Sequence, residues 1–449
     1  MADDQNGWNG GSNGTLFTNV RILDATGEYP FTGEVLVQGN RIKRVTRGGS
    51  TFGAASSSAG GATVIDGMGA TLMPGMIDAH LHLSWNNAPG IDPINMMEVE
   101  EHMLVTKEMA KLVIDAGFTA GRGAAELRSC GAAAAKARLD VVAKRFIGEG
   151  RFPGPRYLAA GPEITTVGGL GDSALSHIPH PGLNLGIVVS GPEEVRRTVS
   201  QLIKIGVDSI KLNLSGESIT GIGAEETPMS EEEVAMAVSA AKCRGKIVAA
   251  HARSSSSVKQ CIRHGIQNIF HASFADEESL DMLEAAKDRH IVAPGIASLI
   301  NTARHAEQWG IKPRGRLSME YERELEMCIA TMKKMHRRGI RICIGGDYGF
   351  AWTPQGTNAR DIQTFVEMLG FTPMEAIQAA TKYGGHIMNM ETELGMIKEG
   401  WLADLILVDG DPLADVRILQ DQKRLLAIMK DGRFHKAPRI NEQRRRLTA

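Results

Sequence analysis

Between about Pro74 and Asn389 the chain alternates short apolar runs with longer amphipathic stretches, the pattern of repeated βα units. The apolar runs end near His82, Arg122, Gly161, Asn213, His251, His271, Gly295 and Asp347. The amphipathic stretches predict helices around 101–116, 131–149, 192–206, 230–244, 255–265, 276–288, 318–338 and 372–385. Eight units of this kind predict an α/β fold, a closed (β/α)8 TIM barrel over residues 75–389. Two glycine-rich insertions, TTVGGLGDSALSHIPHPGLNLG in the third unit and SGESITGIGAEETPMS in the fourth, fall where strands emerge and predict pocket walls.

Outside that span the period shortens to two. LFTNVRILDA, GEVLVQGNRIKRV and ATVIDGMGATLMPG read as strands separated by glycine-containing turns, and ADLILVDGD and LLAIMKDGRFHKA repeat the pattern at the other end. Residues 16–74 and 390–449 are therefore expected to pair into one discontinuous β-sandwich beside the barrel. Residues 1–15 are polar and glycine-rich and are expected to be a disordered leader, without the basic and apolar regions of a secretory signal.

Composition narrows the class. The 449 residues are 43% hydrophobic and 23% charged, with 50 Lys plus Arg against 52 Asp plus Glu. That balance gives no electrostatic footprint for nucleic acid or an acidic membrane, and no run of about 18 apolar residues occurs. Five widely spaced cysteines without a CxxC pair suggest neither a disulfide framework nor a zinc ribbon. The expectation is a cytoplasmic protein acting on a small molecule.

The chemistry collects at strand ends. In MPGMIDAHLHL, His80 and His82 stand two apart and so point to one face of a strand. Lys211 closes VDSIKL, His251 closes KIVAAH, His271 closes IQNIFH and Asp347 closes IRICIGGD. Singly, such residues snorkel, cap turns or sit satisfied in a core. Together they would aim six polar groups into an apolar barrel mouth, at a few kcal/mol each if unpaired, and shared coordination of cations removes that cost.

These residues, in this order, resemble the amidohydrolase superfamily, and IDGMGATLMPGMIDAHLH before the barrel and LGMIKEGWLADLILVDGDPL after it extend the likeness over nearly the whole chain. The resemblance implies two divalent cations per chain, zinc by default with cobalt, manganese or nickel as options. His80, His82 and Asp347 would hold the buried metal and His251 and His271 the more exposed one. Lys211 would bridge them as a carbamate formed with CO2. Water activated between the metals would attack a carbonyl, with Asp347 shuttling its proton to the leaving nitrogen. Related barrels commonly assemble, so a homo-oligomer is expected.

The branch it most resembles mixes phenylurea and molinate hydrolases with prolidase-like and ochratoxin amidases. Members with peptidase activity commonly show GGHGD, AHAHG and SGGV where this chain has GGLGD with Leu170, AHARS with Arg253, and Ser215-Gly216-Glu217-Ser218. Leu170, Ile178, Phe350 and Trp352 would make the pocket wall apolar, which favours a C–N bond of amide, urea or carbamate type in a small neutral molecule. His177 and His180 lie on the third loop, where His177 could touch substrate. The alternative is a metallo-dipeptidase or carboxypeptidase in which Arg253 or Arg304 clamps a carboxylate. A barrel that has lost catalysis and serves as a scaffold is the third reading.

Overall fold

Both ends of the chain build the same sheet. The computed structural model describes residues 14–48, 61–125, 138–177 and 184–438. Strand Thr15–Ile22 pairs antiparallel with Phe31–Gln38, which pairs with Arg41–Arg47. Its other edge runs parallel to Thr63–Asp66 and then to Thr71–Pro74. Thr71–Pro74 pairs antiparallel with Leu405–Val408, and Leu425–Lys430 and Arg433–Lys436 follow. The layers of the predicted sandwich are thus one sheet of eight strands, seven on a continuous hydrogen-bonded path and Thr63–Asp66 paired with Thr15–Ile22 off that path. A register break between Phe17 and Val20, with Asn19 at φ 49, lets the first strand pass its edge from one partner to the next. The sheet then curls around Phe17, Val20, Leu72, Leu405 and Phe434, drawn from both termini.

The barrel follows the alternating pattern. Met76–Leu81, Phe118–Gly123 and Arg156–Leu158 pair in parallel. Ile164–Thr166, Ser209–Asn213, Ile247–Ser254, Asn268–Phe274 and Ile291–Ala293 form the second parallel arc. The third unit is split: Gly161, at φ +68, lets Arg156–Leu158 serve the second strand while Ile164–Thr166 serves the fourth. Segment 341–348 closes the ring through bridges from Ile342 to Val292 and from Tyr348 to Leu81.

Seven of the eight predicted amphipathic stretches are single helices, Val99–Asp115, Leu139–Gly148, Pro192–Ile205, Glu231–Lys242, Ser255–His264, Glu277–Ala285 and Arg316–Arg337. Residues 131–137 of the second stretch lie outside the described residues. The eighth is two helices, Pro373–Ala379 and Lys382–Ile387, parted at Thr381. Helix Ile296–Arg304 is not among the predicted stretches, and Ile296 through Ala303 are all buried. Among the described residues no helix is long and apolar enough to cross a membrane.

Strand alternation aims the polar side chains inward. Ile210 and Leu212 join the large core shared with the helices, so Lys211 between them faces the barrel interior. Ala250 and Ala252 flank His251 in the same way. The sixth strand breaks the rule: Phe270 stacks on the His80 ring at 4.0 Å, and the next residue, His271, lies 5.2 Å from the same ring. Two successive side chains reach one site because His271 and Ala272 adopt φ 76 and 55.

Candidate metal centre

The six strand-end residues converge, each 6% exposed or less. His80, His82 and Asp347 each offer a ligand atom within 4.8 Å of the others. The Nε2 atoms of His80 and His82 stand 3.5 and 3.0 Å from Asp347 Oδ1. The rings of His251 and His271 are 4.4 Å apart. Lys211 Nζ lies 3.9 Å from Glu163 Oε2 and 5.3 Å from the centre of the Phe270 ring.

This donor set fits a cation. His82 Nδ1 is 3.0 Å from the Ala125 carbonyl, which only accepts, so Nδ1 carries the proton and the Nε2 lone pair faces Asp347. Two acceptors at that separation repel unless a positive charge joins them, and ligand atoms bound at about 2.1 Å to one ion stand at such distances. Both ring nitrogens of His271 are buried without a hydrogen-bond partner among the described residues, and so is Nδ1 of His80. Leaving such groups bare costs about 1–3 kcal/mol each. Burial, then neighbouring charge, keeps His80, His251 and His271 well below the ordinary histidine pKa, in the neutral form that ligates.

The surroundings fix these side chains. The His80 amide donates to Asp78 Oδ1 at 2.8 Å, and Asn358 Nδ2 donates to Asp78 Oδ2 at 2.7 Å. Gln355 Nε2 ties the carbonyls of His82 and Tyr348 together. Gly295, at φ +62, leaves room for His271, whose Nδ1 would lie 2.6 Å from a Cβ there. Asp347 also sits in the left-handed region, at φ 63. Strained backbone at His271 and Asp347 is held by the packing around them, as is common where side chains must converge.

Charge is arranged around the centre. Burial would raise the pKa of Asp347, but positive charge facing it, from the His80 and His82 rings when they are protonated and from Arg253, outweighs burial and holds the carboxylate low; with both rings neutral that charge falls to the cation they would hold. Burial lowers the Lys211 ammonium against the pull of Glu163 and Asp347. Arg253 is fully buried: Nη2 donates to Glu217 Oε1 at 2.7 Å and Nη1 to Glu324. Its Nε lies 3.2 Å from His251 Nε2, which is also 3.1 Å from the Gly216 carbonyl. One tautomer serves only one of these contacts, and a proton on Nε2 donated to the Gly216 carbonyl leaves the Nδ1 lone pair free to ligate.

The substrate-side expectations divide. Leu170, Phe350 and Trp352 line the cavity together with His80, His82, Lys211, His251 and Asp347. Arg253 lies behind its wall, committed to two carboxylates. Arg304 is removed from the site, at the end of a helix on the exposed surface and paired with Glu322 at 2.7 Å. His177 is exposed and is not among the lining residues. Ile178 and His180 lie outside the described residues. Ten of the lining residues escaped the sequence reading as pocket members, among them Trp85, Glu163, Glu217 and Tyr321. Trp85 stacks on the His82 ring at 3.8 Å and follows the HLH motif by three residues, a signal that was available.

The sequence profile of the amidohydrolase family matches residues 71–434. The chain belongs to the amidohydrolase family. Its matches include the ochratoxinase of Aspergillus niger, 26% identical over 392 residues that span 82% of this chain and 76% of that protein. Among solved structures, a Xaa-Pro dipeptidase with bound methionine superposes with a TM-score of 0.82 at 26% identity, covering 94% of this chain and 100% of its own. Phenylurea hydrolase B superposes with a TM-score of 0.72 at 20% identity, covering 94% and 96%, a likeness of fold. This amidohydrolase is therefore a hydrolase whose barrel carries a candidate metal site at His80, His82 and Asp347.

Proposed function

We propose that the enzyme hydrolyses a C–N bond of amide, urea or carbamate type in a small neutral molecule bearing an aromatic group. The observation that carries this reading is the cavity wall: Leu170, Trp85, Phe350 and Trp352 face the donor cluster, and no arginine lines it among the described residues. Phe350 stacks on Trp352 with 4.7 Å between rings, and Trp85 lies 4.7 Å from Phe350, a surface suited to a flat ring.

In this reading His80, His82 and Asp347 would hold one divalent cation, zinc by default, and His251 and His271 a second, with Lys211, as a carbamate, contributing a further ligand. When bound, the cations supply Lewis acidity and lower the pKa of water. The chain supplies the rest. Asp347, kept ionised, accepts the proton of the attacking water and returns it to the leaving nitrogen. Trp85, Phe350 and Trp352 orient the substrate and exclude bulk water. Glu163, 3.9 Å from Lys211 Nζ, pairs with the unmodified ammonium and would oppose a carbamate in the absence of cations.

A second reading, cleavage of a dipeptide or N-acyl amino acid, is favoured by the ochratoxinase and Xaa-Pro dipeptidase matches. Two measurements decide. Elemental analysis of protein grown with bicarbonate is expected to give close to two metals per wild-type chain and a large loss in Lys211→Ala. Near-zero metal in both would move the scaffold reading forward. On the loaded enzyme, kcat/KM for phenylureas and anilides is expected to exceed that for N-acyl amino acids, and the reverse order would establish the second reading.

A further inference from the structure

We propose that Glu217 is a specificity-determining residue, whose carboxylate accepts a hydrogen bond from an N–H group of the substrate. This rests on the reading of the cavity as the substrate site. Glu217 stands on the loop after the fourth barrel strand and lines the cavity together with Lys211, His251 and Asp347. Its Oε1 is occupied twice over, by Arg253 Nη2 at 2.7 Å and by the Tyr321 hydroxyl at 2.8 Å. Its Oε2 has no hydrogen-bond partner among the described residues, and the side chain keeps 16% of its surface.

A carboxylate fixed through one oxygen presents the other at a defined place with little rotamer freedom left to lose on binding. Arg253 and Tyr321 are 0% and 2% exposed, so the clamp on Oε1 is shielded from water. Oε2 therefore offers an acceptor on a wall whose remaining surface is largely apolar. Such an oxygen favours a secondary amide, anilide or monosubstituted urea nitrogen, which keeps an N–H, over a fully alkylated nitrogen. It also repels a free substrate carboxylate, the opposite of an arginine clamp. The residues involved, Glu217 and Arg253, are two of the positions at which the sequence departs from the GGHGD, AHAHG and SGGV pattern, and they contact each other.

The test compares acetanilide with N-methylacetanilide, and phenylureas with and without an aryl N–H, on metal-loaded wild type and Glu217→Gln. Binding is read by quenching of tryptophan fluorescence from Trp85 and Trp352, independently of turnover, and kcat/KM is read alongside. In the variant Arg253 and Tyr321 still donate to the amide oxygen, so the NH2 replaces Oε2 and turns an acceptor into a donor. The wild type is expected to favour the N–H member of each pair by at least about tenfold, the range of a hydrogen bond to a charged group, and Glu217→Gln to lose that preference while its melting temperature stays close to wild type. A preference unchanged in a folded Glu217→Gln overturns the proposal. Should Glu217→Gln not fold, Tyr321→Phe, which frees one clamp on Oε1, is expected to shrink the same ratio, and an unchanged ratio there overturns it equally. If the wild type binds both members of each pair equally, this inference fails and the aromatic-amide reading stands. If it binds neither, that reading fails and this one with it.

Discussion

Asp347→Asn is expected to lower kcat by about 10²- to 10⁴-fold, the range of a lost acid–base residue, while the protein keeps its fold and most of its bound metal. The substitution exchanges one carboxylate oxygen for an NH2 and little else. Asp347 sits at φ 63, in the left-handed region, and asparagine adopts that region more readily than most residues, so the strand-end turn survives. His80 and His82 remain, and the Asn oxygen still faces their Nε2 atoms. What disappears is the ability to accept a proton, which the ionised state of Asp347 supplies. Steady-state kinetics, elemental analysis and thermal melting on one preparation check all three parts. A variant within twofold of wild type would remove Asp347 from proton transfer, and a variant without metal would make its role ligation alone.

The centre was legible because its parts obey local rules. A polar residue that closes an apolar strand is visible in one dimension, and barrel topology brings every such end to one mouth. His80, His82, Lys211 and His251 need only strand alternation to face inward. His271 reaches the site through a left-handed backbone that strand patterning does not encode, although the position of the residue at a strand end still flags it. The pocket wall was legible only in part. Arg253 reads as a free loop arginine because its two carboxylate partners lie 36 and 71 residues away, one of them on the helix Arg316–Arg337. Arg304 reads as a loop residue because the helix that carries it is short and buried from Ile296 to Ala303, and its exposed end pairs with Glu322 and does not line the cavity. Tyr321 follows the buried face of a helix and gives no sign that its hydroxyl reaches Glu217.

Arg253→Met is expected to cost about 3–5 kcal/mol of stability, the range for breaking a buried ion pair by removing one partner. The guanidinium is 0% exposed and serves Glu217 and Glu324 at once. Methionine has a similar length, so packing survives, but both carboxylates lose their cation. Tyr321 still donates to Glu217, and Ser273 donates to Glu324 at 2.7 Å, so part of each acceptor's need is met by neutral groups. Burial already raises the pKa of Glu217 against the pull of Arg253. Without that pull the folded-state value rises further, and a raised carboxyl pKa makes the folded state the stronger proton binder. Its contribution to stability is then present at low pH and lost as pH rises from the ordinary value of 4.5 through the folded value. The deficit of Arg253→Met relative to wild type should therefore be largest at neutral pH and shrink towards pH 4, and Glu324→Gln added to it should recover part of the loss. Urea unfolding of the three proteins across that range measures each term. If Arg253 instead clamps a substrate carboxylate, stability will hardly change and KM for carboxylate-bearing substrates alone will rise, which a buried guanidinium held by two carboxylates gives no reason to expect.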